Sequence, residues 1–334
     1  IRKREKKALE AYKAKYTEDI EFYRFLQYKF AVQWKALKKY ANKAGIKIIG
    51  DIPIYVAFDS ADTWADPEMF QFDENGYPTA VAGCPPDAFS ATGQLWGNPL
   101  YDWDHHAKSG YKWWIRRIKH CYELYDVVRV DHFRGFDSYY AIPYGDRTAE
   151  FGKWKKGPGF DLFKAIREKI GDVDMIAEDL GFLTESVIRL VKRSGYPGMK
   201  VLQFAFDPRE DSDYLPHNYT PNSVVYTGTH DNDTTVGWFK TIKAKDRRMA
   251  MEYLGRKSFA SDRDTATAFI KLAMSSVSAL CIIPMQDWLG LGSVARINTP
   301  STVGGNWVWR MKEGAFSKKL AKDMYAVTKL YARL

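Results

Sequence analysis

Short apolar runs in this chain end repeatedly in acids. Ile48-Ile49-Gly50 is followed by Asp51, Val127 to Val130 by Asp131, and Asp174 to Ala177 by Glu178, while the run beginning at Val224 opens into a polar turn carrying His230 and Asp231. Paired carboxylates do complementary chemistry when their surroundings differ. One that stays ionised can attack an electrophilic carbon, and one whose pKa is raised can deliver a proton. Period-two strand geometry puts Arg129 and Asp131 on one side of their run, where the guanidinium favours an ionised Asp131. Like charge in the same cluster pushes Glu178 the other way, towards a proton donor. Taken singly, each acid reads more simply as a helix cap, since Asp is a common N-cap. Three such run ends, two with Arg or His beside the acid, point to a site.

The elements that must position these acids alternate along the chain. Apolar residues at helical spacing (Phe22, Phe25, Leu26, Phe30, Trp34, Leu37, Tyr40) predict a helix over Thr17 to Lys43, stopped by Ala44-Gly45. Strand-like runs follow at Ile46–Gly50, Val127–Val130, Asp174–Ala177, Val201–Phe206, Val224–Thr227 and Leu280–Pro284. Helical patterns lie between them near Tyr111–Leu124, Leu162–Lys169, Thr184–Arg193, Asp246–Leu254 and Arg263–Ser278, with a closing helix from about Phe316. Alternation of this kind predicts an α/β fold, a (β/α)8 TIM barrel with long inserted loops, whose chemistry sits at the C-terminal ends of strands. Only about six strand runs are visible where eight are needed, and the chain opens at Ile1 without Met; the expectation is that the first one or two strands lie upstream. The domain reading is a basic helical segment over 1–45 and a barrel over 46–334, with a substrate-loop insertion at about 55–110.

Composition narrows the function classes. The net charge of +9 is concentrated in Ile1 to Lys43, which hold 13 Lys and Arg against 5 Asp and Glu, so the rest is nearly neutral. A basic stripe on one helix reads as a solvated face, and neither a nucleic-acid nor a membrane partner is expected. Cys84, Cys121 and Cys281 are widely spaced and odd in number, which fits a reducing, cytoplasmic setting and no zinc site. No Gly-rich dinucleotide turn follows any strand, and neither a cofactor nor a metal is predicted. Aromatics make up 15% of residues, and several Trp (Trp64, Trp96, Trp103, Trp307, Trp309) lie in Gly/Pro/Asn-rich loops, where they suit the apolar face and polar rim of a pyranose.

At this point longer motifs become specific: GDIPIYVAFDSADTWADP at 50–67, CPPDAFSATGQLWGNPLYDW at 84–103, YDVVRVDHFRGFDSYY at 125–140, IAEDLG at 176–181, YTGTHDNDTTVGW at 226–238 and ARINTPSTVGGNWVWR at 295–310. In these the chain resembles the 4-α-glucanotransferases known as amylomaltases or disproportionating enzymes, glycoside hydrolase family 77, relatives of the α-amylases. The resemblance implies that Asp131 is the nucleophile, Glu178 the general acid/base and Asp231 the carboxylate that holds donor-sugar hydroxyls. It implies supporting and substrate-contacting roles for Arg129, His230, Asp51, Tyr55, Asp87, Gln94, Trp96, Asn98 and Asn298, with 84–98 as a lid over the groove. Where many amylases carry Asn-His after the first motif's Asp, this chain has Tyr55-Val56, which favours transferase over amylase. The implied partners are α-1,4-glucans and maltooligosaccharides, with glucose or another glucan as acceptor.

Two other readings stay open on the residues alone. One is a metal-dependent sugar-processing barrel with His132, Glu178, His230 and Asp231 as ligands, although the HxH pair common in such hydrolases is missing. The other is a protein that binds glucan without turning it over.

Overall fold

The computed structural model describes residues 1–86, 90–181 and 183–334. The chain divides into two compact units, Ile1–Tyr196 and Pro197–Leu334. Among the described residues, no helix is long and apolar enough to cross a membrane.

The first unit carries strands β1 (Ile49–Pro53), β2 (Ala80–Cys84), β3 (Gln94–Pro99), β4 (Val127–Asp131), β5 (Ser138–Pro143), β6 (Lys153–Lys156) and β7 (Met175–Ala177). β1, β4 and β7 run parallel in that order. Helices Lys112–Leu124 and Phe160–Ile170 lie between these parallel strands in sequence, and Glu185–Ser194 follows them. Near-continuous apolar runs are what parallel strands buried on both faces require, and Val128, Val130, Met175 and Ala177 are all buried. Beneath them, Trp113, Trp114, Phe133, Phe136 and Phe163 belong to one core cluster.

β1 begins three residues later than its predicted run and takes Asp51 inside the strand. Register explains the shift: Asp51 lies opposite Arg129 and Pro53 opposite Asp131, so the charged residue is offset by the cation across the ladder. Upstream, the Asp126 carboxylate accepts from the Ile48 N–H at 2.8 Å and from the Asn42 amide at 2.8 Å, which holds Ile46 to Ile48 as an entry loop.

The sequence reading contains no counterpart of the antiparallel sheet β3-β2-β5-β6. Its strands read AVAGC, QLWGNP, SYYAIP and KWKK, rich in Gly, Pro and Lys that carry little strand preference. At the register shift between Val81 and Gly83, a Cβ on Gly83 would stand 2.1 Å from the Gln94 carbonyl oxygen, so only glycine fits.

The helix Thr17–Lys43 forms over its predicted span, yet buries none of its residues. It is held by polar contacts: the Trp34 indole donates to the Leu124 carbonyl at 2.8 Å, and the Lys38 ammonium donates to the carbonyls of Tyr122 and Tyr125 at 3.0 and 2.8 Å. These carbonyls belong to the end of helix Lys112–Leu124, where the dipole favours a cation.

The second unit carries β8 (Gly198–Val201), β9 (Ser223–Tyr226) and β10 (Leu280–Ile282), again parallel and in that order. The run Val201–Phe206 is not a strand. The strand ends at Val201, and Leu202–Phe204 form a 3-10 turn, because Leu202, Ala205 and Phe206 are spent on a core cluster with Val225, Phe269 and Ala273. Helices Thr235–Thr241, Ala244–Tyr253, Asp262–Met274, Met285–Trp288 and Lys318–Leu330 belong to the same unit.

Candidate active site

In the first unit, the ends of β4 and β7 carry Asp131 and Glu178. On β4, Arg129, only 7% exposed, bridges two carboxylates: it reaches Asp51 at 2.7 and 2.8 Å and Asp131 at 2.9 Å. Burial lowers the pKa of this guanidinium, but Asp51, Asp131 and Glu178 more than offset it and hold the pKa above the usual arginine value. Its positive charge is therefore a fixed feature of the site.

Glu178 is gripped through both oxygens. The His132 N–H donates to Oε2 at 2.7 Å and the Leu180 N–H to Oε1 at 2.9 Å. A carboxylate offers about four lone-pair positions, so each oxygen keeps room for a proton. Burial, followed by the charge of Asp131, pushes its pKa up to about 7, against the pull of Arg129 and the two N–H groups. Near neutrality such a group both gives and takes a proton.

His132 owes its role to backbone geometry. It sits in the left-handed region at φ 54, an uncommon conformation outside glycine that aims its N–H at Glu178. Phe133, stacked on Phe163 at 5.0 Å, and Phe136, edge-on to Phe163 at 5.2 Å, anchor the turn that follows. Burial, with Arg134 beside it, pushes the imidazole pKa down to about 3, so the ring is neutral. Trp96 on β3 packs edge-on against that ring at 4.7 Å.

In the second unit, His230 and Asp231 ride on the turn after β9. The Asn298 amide donates to Asp231 Oδ1 at 2.6 Å, His230 Nε2 lies 3.5 Å from Oδ2, and the Arg296 guanidinium donates to the Asp231 backbone carbonyl at 2.6 Å. Arg296 also bonds the Asn298 carbonyl at 2.8 Å, tying the clamp together. The Trp307 ring lies 5.2 Å from the His230 ring.

None of the three acids caps a helix. The side-chain caps are Ser60, Asp102, Thr234, Ser261 and Ser317 among the described residues. Nor do the described residues hold a group of three His, Cys, Asp or Glu side chains arranged for a metal ion.

The sequence model of glycoside hydrolase family 77, 4-alpha-glucanotransferase, matches residues 1–317. The chain belongs to the 4-alpha-glucanotransferase family. A 4-alpha-glucanotransferase of Clostridium butyricum is 50% identical over 335 residues, covering all of this chain and 68% of that protein. Among solved structures, amylomaltase from Streptococcus agalactiae in complex with acarbose superposes with a TM-score of 0.96 at 42% identity, over all of this chain and 67% of that one. The chain thus spans about two thirds of the length of these relatives. In fold alone it is also similar to an α-amylase from Geobacillus thermoleovorans, at a TM-score of 0.51, 14% identity and 91% of this chain against 61% of that one. The fold class is the α/β, barrel-type architecture of the amylases.

The remaining sequence-predicted residues divide by contact. Tyr55 is buried, stacked on Tyr101 at 6.0 Å and tilted towards Trp96 at 6.4 Å. Burial, with Tyr101 beside it, raises its pKa well above the usual phenol value. Gln94 accepts from the Trp96 indole at 3.1 Å, and Asn98 donates to the Val56 carbonyl at 3.0 Å, pinning β3 to the loop after β1. Asp87 lies outside the described residues. Sequence reasoning missed the clamp residue Arg296 and the backbone role of His132. It missed Asp287 as well, buried at 1% exposure against both ends of the Asp231 loop. Arg296 stands inside the quoted motif at 295–310; Asp287 had no motif to mark it.

Proposed function

We propose that this protein transfers α-1,4-glucan segments from one maltooligosaccharide to another by retaining double displacement. Glu178 protonates the glycosidic oxygen while Asp131 attacks the anomeric carbon; the C–O bond to the leaving glucan breaks and an ester to Asp131 forms. Glu178, now ionised, takes the proton of an incoming sugar hydroxyl, whose oxygen displaces Asp131 and restores both groups. Asp231 holds hydroxyls of the donor sugar with His230, and Arg129 and Asp51 support the nucleophile. Tyr55, Gln94, Trp96, Asn98, Asn298 and Asp87 serve as glucan contacts in this reading, and glucose or another glucan is the acceptor. The cytoplasm, whose reducing conditions suit three cysteines that form no disulfide, is the proposed setting.

One observation carries the reading: a Glu178 carboxyl raised to about 7 beside a partly exposed Asp131 ion-paired to a permanently charged arginine. This is the division of labour that a proton donor and a nucleophile need.

Maltotriose tests it. Transfer yields glucose and longer oligosaccharides with a constant number of reducing ends, because every bond broken is replaced by one formed. A steady rise in reducing ends identifies a hydrolase instead.

A further inference from the structure

In the second unit, the turn that bears His230 and Asp231 is bracketed by one buried carboxylate. Thr227, directly after β9, donates its hydroxyl to Asp287 Oδ2 at 2.5 Å. Thr235, the first residue of the next helix, donates its hydroxyl to the same oxygen at 2.7 Å and its N–H to Oδ1 at 2.8 Å. Three donors from the two ends of one loop thus converge on a side chain that is 1% exposed. The neighbouring Gln286, 4% exposed, donates to the Ala295 carbonyl at 3.2 Å. Ala295 precedes Arg296 and Asn298, the two residues that grip Asp231.

We infer that Asp287 and Gln286, adjacent on the short helix Met285–Trp288, are positioning residues that set where the Asp231 carboxylate sits. The inference rests on the proposed role of Asp231 in transfer. Asp287 fixes the span of the loop from both ends, and Gln286 fixes the strap that clamps its middle. One carboxylate accepts from three donors here, and shortening the side chain takes its acceptor away from the Thr235 N–H. Burial raises the Asp287 pKa, the threonine bonds oppose the rise and nearby Asp233 adds to it.

The test is a double-mutant cycle on maltotriose disproportionation by the intact protein. Asp287→Ala should lower kcat by about 100-fold with KM within about threefold, the scale of misplacing a transition-state group by about 1 Å. Asp287→Asn, which keeps one acceptor oxygen, should fall between the two. In an Asp231→Asn background, Asp287→Ala should lower kcat by less than about threefold, because the group it positions is already lost. A purely structural role would instead give the same loss in both backgrounds, and that result overturns the inference. Should Asp287→Ala fail to fold, Thr235→Val against Thr235→Ser carries the test. Ser keeps the hydroxyl and should restore kcat, and equal activity in the two would overturn the inference. If the wild-type protein does not disproportionate maltotriose, the functional reading fails. Amide hydrogen exchange over 229–233 then decides the positioning alone: unchanged protection in Asp287→Ala counts against it.

Discussion

Asp131 and Glu178 stand at strand ends, whereas Asp231 rides on a loop, and the two regions fix their acids with different forces. In the first unit, strand register does most of the placing: β1, β4 and β7 set Asp51, Arg129 and Asp131 and deliver Glu178 at a strand end, where two backbone N–H groups hold its carboxyl. What the side chains add there is electrical, a charged Arg129 on one flank and a Glu178 forced towards neutrality on the other. In the second unit, hydrogen bonds do the placing, through Asn298, Arg296 and Asp287. Register resists small substitutions because many ladder bonds share it. A loop held by a few side chains can be loosened by one.

That contrast predicts a ranking of effects. The largest belongs to the first unit and concerns chemistry alone: Asp131→Asn should lower kcat on the order of 10^4-fold or more while leaving maltooligosaccharide binding largely unchanged. Calorimetric binding alongside single-turnover kinetics checks both halves. Full activity in that variant would mean that another group attacks the anomeric carbon.

Next comes the loop. Asn298→Ala removes the amide that donates to Asp231 Oδ1 at 2.6 Å, and a hydrogen bond to a charged group contributes about 1.5–3 kcal/mol, so kcat should drop roughly 10- to 150-fold. Fold stability should shift little, since the bond lies outside the core clusters. A melting temperature that falls while the activity per folded molecule holds would make Asn298 structural and break the contrast.

The difference between the regions also explains what the sequence disclosed. Asp131, Glu178 and the β4 and β7 runs are legible because a buried parallel strand must be apolar and must stop, and the polar residue at its end stands out. The helix Thr17–Lys43 is legible for the same reason, its period being unbroken, although its apolar face stays exposed. Asp287 is not legible. It lies 52 residues beyond Thr235 in the chain, and nothing local distinguishes a buried Asp from an exposed one. The antiparallel sheet was hidden because its strands gain their stability from cross-strand pairing and from Gly83 fitting under the Gln94 carbonyl, neither of which is a periodic signal. The shift of β1 to Ile49–Pro53 depends on a register with Arg129 that only pairing reveals.

A third prediction sharpens the electrical half of the contrast. In the proposed reaction Glu178 is protonated for the first displacement, and its folded-state pKa lies above the ordinary carboxyl value, at about 7. Activity should therefore fall as pH rises through about 7, by about tenfold per pH unit beyond it. The alkaline limb of the kcat/KM profile measures this. A limb that begins only near pH 9 would assign the proton to another group.

The smallest effect tests whether β3 takes part in the electrical arrangement or merely covers it. The Trp96 ring sits edge-on to His132, whose N–H grips Glu178 Oε2. An aromatic pair of this kind is worth about 0.5–1.5 kcal/mol, so Trp96→Ala should cost roughly 2- to 12-fold in kcat/KM. The direction of the secondary change is more telling than its size. Trp96 is about one-third exposed, so its removal opens the space above His132 to water as well as loosening the ring. If the ring shields a glucosyl intermediate, water should then compete better with the acceptor sugar, and reducing ends should accumulate from maltotriose where the wild type holds them constant. Trp96→Phe keeps an aromatic edge and should restore most of the transfer ratio. Loss of rate with no change in that ratio would confine Trp96 to substrate contact, leaving the exclusion of water to other parts of the chain.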